Sequence, residues 1–373
     1  MKRSLFICIL TSALFSCETT ISDFQSENFV KFFGSGYESR GIDAVETSVG
    51  NYLLTGYDVQ ENNDKQILLV KTDKNGNQIW SKTYGQTGYN EEGKVVKEVL
   101  DELLIVGVAD SAGFSRAFIL KVGNSGDSLW YRPMGDQDME IEIADIALDE
   151  THIFVAGRSV QPGNLFSDYY MAKLTLDAEL VWQRYYFQNS SSSFSRLFLT
   201  GDQILFLGND GTQNLISIVS AAKGSGIPLD FNSLETAGET LADALLVGGD
   251  LFILVNTVSG TKLYKLSSTL VTEWKSNSIS SITGKSLTMQ SNGDLLVLGE
   301  NIAAGINQIN AIVVKNNGET VYGNEVFRTI RGTVSRVRNT TDNGVIIVGS
   351  TNATYGRNAQ LIKTGADLFL LKP

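Results

Sequence analysis

Leu103-Leu104-Ile105-Val106-Gly107 contains no charged or polar side chain and ends in glycine. A run this short and this apolar reads as a strand covered on both faces. The same pattern recurs along the chain. It appears earlier as Tyr52-Leu53-Leu54-Thr55-Gly56 and later as Ile153-Phe154-Val155-Ala156-Gly157, Ile204-Leu205-Phe206-Leu207-Gly208, Leu295-Leu296-Val297-Leu298-Gly299 and Val345-Ile346-Ile347-Val348-Gly349. A degenerate copy, Leu251-Phe252-Ile253-Leu254-Val255-Asn256, carries asparagine in the last place. Seven copies thus follow one another at intervals of 43 to 51 residues.

Each copy sits among three other strands. A less apolar strand precedes it, as in Ile42-Asp43-Ala44-Val45-Glu46-Thr47 and Lys94-Val95-Val96-Lys97. A third strand follows and usually ends in lysine: Lys71, Lys121, Lys173, Lys265, Lys315 and Lys363, with Val219-Ser220 in the fourth copy. Polar turns come next, such as Asp73-Lys74-Asn75-Gly76-Asn77 and Asn124-Ser125-Gly126-Asp127. Their Asn, Asp and Gly tolerate the positive φ of hairpins. A fourth strand carries an aromatic: Trp80, Trp130, Trp182, Phe231, Trp274 or Tyr322.

Strands a, b, c and d therefore repeat seven times, and the b strands need cover on both sides. Radial stacking supplies it, so the fold class is all-β: a seven-bladed β-propeller of four-stranded antiparallel blades over 29–373. Solenoid coils are shorter, and sandwiches would not repeat seven times at this period. No segment sustains a 3.6-residue period, so helix content is expected to be very low. Phe29-Val30-Lys31-Phe32-Phe33-Gly34 matches the outer strand Ile79-Trp80-Ser81-Lys82-Thr83-Tyr84-Gly85 and is expected to complete the last blade. Leu368-Phe369-Leu370-Leu371 competes for that slot and is placed beside or beneath it.

The unit Leu69-Val70-Lys71-Thr72-Asp73-Lys74-Asn75-Gly76-Asn77-Gln78-Ile79-Trp80, followed by Tyr84-Gly85, resembles the repeats of bacterial lipoprotein propellers, near the PQQ-like and delta-60 repeat families. The resemblance implies blade packing, not an activity. The vicinal cysteines of quinoprotein enzymes are missing, and no cofactor is expected. Sialidase-type Asp boxes space Asp and Gly by two; Asp73 and Gly76 are three apart.

The N-terminus carries a second signal. Lys2 and Arg3 precede an apolar stretch from Leu5 to Phe15, too short to span a bilayer. Leu14-Phe15-Ser16-Cys17 resembles a lipobox, so 1–16 reads as a signal peptide, Cys17 as the lipidated residue and 17–28 as lipid attachment and tether. An ordinary secretory peptide is the alternative. The chain has two cysteines, Cys8 and Cys17, so the exported body has no disulfide and Cys17 no intrachain partner. Membrane attachment is therefore through lipid. Glu18 at +2 favours the outer membrane, with the periplasmic or cell-surface face open.

Loss of Lys2 and Arg3 takes the formal charge from −11 to −13. A chain this acidic, without a basic run, is not a nucleic-acid binder. The single histidine, His152, has no partner set for catalysis and reads as a satisfied structural side chain. Asp136, Asp138, Glu140 and Glu142 alternate in the loop entering blade three. Asp136 and Asp138 are weak calcium candidates against a solvated acidic loop.

Aligned on the b-strand glycines, the inner strands place Ala44, Val95, Asp145, Arg196, Ala244, Ser286 and Arg336 at one level of the channel. Arg196, Arg336 and Arg338 either hold an anionic group at the channel mouth or form register-fixing interblade ion pairs. Propellers commonly bind on the face of their d–a and b–c loops. There, Tyr89, Phe166 and Tyr169 are candidate contacts for a protein or sugar; the alternative is that Phe166 and Tyr169 pack onto blade three. The expectation is a non-enzymatic, lipid-anchored binding or scaffold module of an outer-membrane or cell-surface complex. A carbohydrate-binding lipoprotein and a propeller glycan lyase or hydrolase are the alternatives.

Overall fold

The computed structural model describes residues 28–368 apart from 36, 165, 191, 236–237, 281, 304, 325–330 and 352–355. The expected signal peptide, Cys17, nearly all of the tether and the segment 369–371 lie outside the described residues. Seven sheets, each with a four-stranded antiparallel path, form the blades of a propeller; no helix occurs among the described residues. The inner a strands run Ser39–Glu46, Asn90–Val99, Glu140–Leu148, Ser192–Thr200, Thr240–Val247, Thr283–Met289 and Thr333–Asn339.

The apolar b strands do what their composition demands. Successive residues of a strand point to opposite faces, so Leu53 and Leu54 serve different neighbours. Leu53 packs with Val96 and Ile105 of blade two, whereas Leu54 packs with Ile346 and Val348 of blade seven. Clusters of this kind fill each of the interfaces between adjacent blades. Each fully buried leucine contributes about 2 kcal/mol of transfer free energy, so the core is distributed around the ring.

The outermost strand of blade seven is Phe29–Phe33, paired antiparallel with Ala359–Thr364. The beginning of the described chain thus latches onto its last strand, as the match with the other outer strands predicts. Phe29 and Phe33 are buried in the blade seven to blade one interface. Leu368 is buried between blades six and seven.

Every a strand carries a β-bulge at the same level, and the bulge explains the recurrent glycine. It brings the carbonyl two or three residues earlier in strand a against the b strand. A Cβ on Gly56 would stand 1.8 Å from the Arg40 carbonyl oxygen; on Gly157, 1.9 Å from that of Glu142. Blade five is the exception. There Leu241 lies opposite Val255, so Val255, not Asn256, occupies the glycine place. The alignment on Asn256 is therefore one residue out.

Outer strands lock to the next blade through a second device. In blades one, four and six the c–d turn glycine lies against an outer-strand aromatic of the blade before: Gly76 on Phe29, Gly226 on Trp182 and Gly318 on Trp274. Cβ atoms on Gly226 and Gly318 would meet the rings of Trp182 and Trp274 at 2.6 and 2.9 Å. Tyr84 and Tyr186 donate hydrogen bonds of 2.7 Å to the carbonyls of Gly126 and Gly226. The strand c lysines work at the same seams: Lys71 donates to Asn124 of blade two, and Lys121 approaches Asp177 of blade three.

Candidate functional site

The bulge fixes which side chains share the channel's central level. The residues just past it are Asp43, Val95, Asp145, Arg196, Asp243, Ser286 and Arg336. Sequence alignment placed Ala44 and Ala244 here; the structure replaces both with aspartates. In blade five the cause is the Val255 register. In blade one the a–b connection is a residue longer, so the position falls thirteen residues before Gly56 rather than the twelve of blades two to four.

The ring residues also tie blades together through the backbone. Asp43, Asp145 and Asp243 accept hydrogen bonds from the N–H groups of Val96, Leu197 and Leu287, each one residue past the ring position of the next blade. Ser286 accepts from Val337 in the same manner. Val95 and Arg196 cannot accept. After them, Asp145 and Asp243 turn their other oxygen to their own following N–H, Ile146 at 3.0 Å and Ala244 at 2.7 Å. These carboxylates thus satisfy donors that the bulge removes from the strand ladder.

Two of the three predicted arginines are committed to these aspartates. Arg196 Nε donates to Asp243. Arg338 grips Asp43 with Nε at 3.0 Å and Nη2 at 2.9 Å. Burial pushes the Asp43 and Asp243 carboxyls up, yet Arg338 and Arg336 on one, and Arg196 on the other, hold both below the usual range. Arg336 differs. It comes no closer than 3.8 Å to Asp43 and Asp145, and its buried Nε has no hydrogen-bond partner. Burial and the Arg196 charge lower its pKa to about 10.

The charged level divides the channel. On the a–b turn side lies a cavity of about 590 Å³, bordered by Lys97, Arg336, Arg338, Ala147, Phe198 and Leu245 among others. Lys97 was not among the sequence candidates; it stands two residues past Val95, on the same strand face. Its pKa falls to about 8, through burial first and then the Arg338 charge. On the d–a and b–c side lies a cavity of about 530 Å³ bordered by Glu142 paired with Arg158, Glu92 paired with Lys94, and Asp110, which accepts from the Ser115 hydroxyl.

The loop candidates separate. Phe166 and Tyr89 are exposed, at 43% and 39%. Tyr169 is not a surface contact. Strand c of blade three already begins at Ser167, and Tyr169 faces blade four, edge-on to Phe206 at 5.7 Å. Asp136 accepts from Gln183 at 2.8 Å and Tyr185 at 2.8 Å and so anchors the loop entering blade three. Asp138 borders an open surface pocket with Arg116 and Gln137. No group of three or more His, Cys, Asp and Glu residues that could hold a metal ion occurs among the described residues. His152 Nδ1 lies 2.7 Å from the Thr151 hydroxyl in an a–b turn, half-buried.

Fold and channel define a seven-bladed β-propeller. No protein-family model and no curated protein matches the sequence. Among solved structures, the chain is similar to streptogramin B lyase at 13% identity and a TM-score of 0.56, covering 91% of this chain and 99% of that one. It is also similar to the WD40 propeller domain of Doa1 (13%, TM-score 0.57, covering 90% and 97%). YCF48 bound to D1 peptide gives 12% identity and a TM-score of 0.58, covering 90% and 96%. At such identities the likeness is one of fold.

Proposed function

We propose that this chain is a non-enzymatic binding propeller, lipid-anchored at Cys17, that serves an outer-membrane or cell-surface protein assembly. The observation that carries the proposal is the distribution of exposed aromatics. Tyr37, Tyr89 and Phe166 are 55%, 39% and 43% exposed, and they belong to d–a and b–c loops of different blades. Among the described residues, no aromatic is comparably exposed in an a–b or c–d turn; the remaining exposed ones, such as Phe231, lie on outer strands. Val258 in the b–c turn of blade five and Ile302 near the end of strand b of blade six add aliphatic surface. Exposed aromatics on one rigid face are the usual anchors of protein interfaces.

The anchor rests on Leu14-Phe15-Ser16-Cys17. It would hold the ring near other membrane proteins, where a modest interface suffices. Affinity purification of the tagged protein from its native membranes tests the proposal. The wild type is expected to recover a partner in stoichiometric amount. The triple variant Tyr37→Ala, Tyr89→Ala, Phe166→Ala should lose at least 90% of it while keeping its melting temperature, because these side chains lie outside the core. Equal recovery by wild type and variant would contradict the proposal.

A further inference from the structure

The channel's charges do not balance. Four cations, Lys97, Arg196, Arg336 and Arg338, interact electrostatically with three carboxylates, Asp43, Asp145 and Asp243. The carboxylates are already engaged. Asp43 takes Arg338 and the Val96 N–H. Asp145 takes the Ile146 and Leu197 N–H groups, and Asp243 takes Arg196, Ser286 and two backbone N–H groups. Arg336 reaches no hydrogen-bond partner with its buried Nε. Lys97 makes neither a hydrogen bond nor a salt bridge among the described residues, although the charges of Asp43 and Asp145 act on it. Arg336 has only the two ion pairs at 3.8 Å, to Asp43 and Asp145, and desolvated cations held at that distance or without hydrogen bonds are costly. They are tolerated where a ligand completes them.

The surroundings say what kind of ligand. Lys97 and Arg336 border the same cavity on the a–b turn side, whose volume of about 590 Å³ suits a small organic molecule. Its lining is divided. Asp145, Arg196, Asp243 and Arg336 line it at the charged level; past that level blades two and seven present Lys97 and Arg338, while blades three, four and five present Ala147, Phe198 and Leu245. The surplus is one positive charge, which a monoanion neutralises. We propose that this cavity binds a small organic carboxylate, with its head between the Lys97 ammonium and the Arg336 guanidinium and its apolar body against Ala147, Phe198 and Leu245. The site lies on the opposite side of the ring from the aromatic loops, so it stands independently of the partner-binding proposal.

Titration calorimetry on the purified protein at pH 7, with acetate, hexanoate, hexanamide and inorganic phosphate as probes, tests this. Hexanoate should bind saturably, one per chain, and at least tenfold more tightly than acetate, since each buried methylene contributes roughly fourfold. Hexanamide, which lacks the charge, should not bind measurably, and phosphate should bind more weakly than hexanoate. Lys97→Met should weaken hexanoate at least tenfold and Lys97→Arg should restore it; Arg158→Gln, in the opposite cavity, should leave it unchanged. Nuclear magnetic resonance should show the Lys97 pKa rising from about 8 when hexanoate binds, which a merely structural lysine would not do. Absence of saturable hexanoate binding, equal affinity for acetate and hexanoate, tighter binding of phosphate, or wild-type affinity in Lys97→Met would each overturn the proposal.

Discussion

Lys97 shows how a single residue governs the behaviour of the channel. Burial and Arg338 lower its pKa to about 8, against about 10.4 in an unfolded chain. Below pH 8 both states are protonated, and the folded state bears the full cost of the buried charge. Between about pH 8 and 10 the unfolded chain binds more protons, so this group's contribution to stability improves as pH rises. Lys97→Met removes the penalty. The variant should be more stable than wild type at pH 7 by about 2 kcal/mol, with allowance for partial solvation, and the gap should close towards pH 10. Urea unfolding at several pH values measures it; a gap that does not change with pH would contradict this account. The other charged groups acting on Lys97 are Asp43, Asp145, Arg336 and Arg338, and Arg336, lowered to about 10, adds to the change at the top of that window. Residue identity was where sequence alone fell short. Arg196 and Arg336 were legible because they align with the glycines. Asp43 and Asp243 were hidden by a longer turn and by Val255 in the glycine place, and Lys97 by lying one strand step beyond the ring.

At the scale of elements, turn and strand explain each other across a seam. Gly226 has φ +68°, and a Cβ there would stand 2.6 Å from the Trp182 ring. Gly201 has a similar φ of +56° but open space around it. Gly201→Ala therefore isolates the backbone strain of the left-handed region, about 1 kcal/mol. Gly226→Ala adds the collision with Trp182 and should cost about 2 to 3 kcal/mol in urea unfolding. Equal costs at the two sites would show that the glycine–tryptophan contact does not hold blades three and four together. The b strands, the turns and the outer aromatics were all legible in the sequence, because each is a composition pattern that local chemistry imposes. The bulges were not. They appear in the sequence only through the glycine they require, and the reason for that glycine becomes visible only when strand a lies over it. Tyr169 as a candidate surface contact failed for a related reason: Tyr169 and Tyr170 belong to a strand whose two faces serve different blades, and alternation in aromatic residues looks like a sticky loop until the register is known.

The whole molecule is a ring whose repeated residues are spent on holding it together. The core is shared among blade interfaces, the latch is Phe29–Phe33 on Ala359–Thr364, and the strand c lysines bond across or beside the seams. Blade count and closure followed from the repeat and from the kinship of Phe29–Gly34 with the other outer strands. Function had to be sought where the pattern breaks: in the unequal charges of the channel and in the aromatic loops of one face. The claim that this face receives a protein partner is tested most directly by placing photo-crosslinking amino acids, one at a time, at Tyr89 and Phe166 and, on the opposite face, at Val49 and Leu100, then irradiating intact cells. Val49 and Leu100 are 74% and 79% exposed, so accessibility does not favour the first pair. The account predicts one common heavier adduct from positions 89 and 166 and none from 49 and 100. Adducts from the turn face alone, or none from any position, would contradict it.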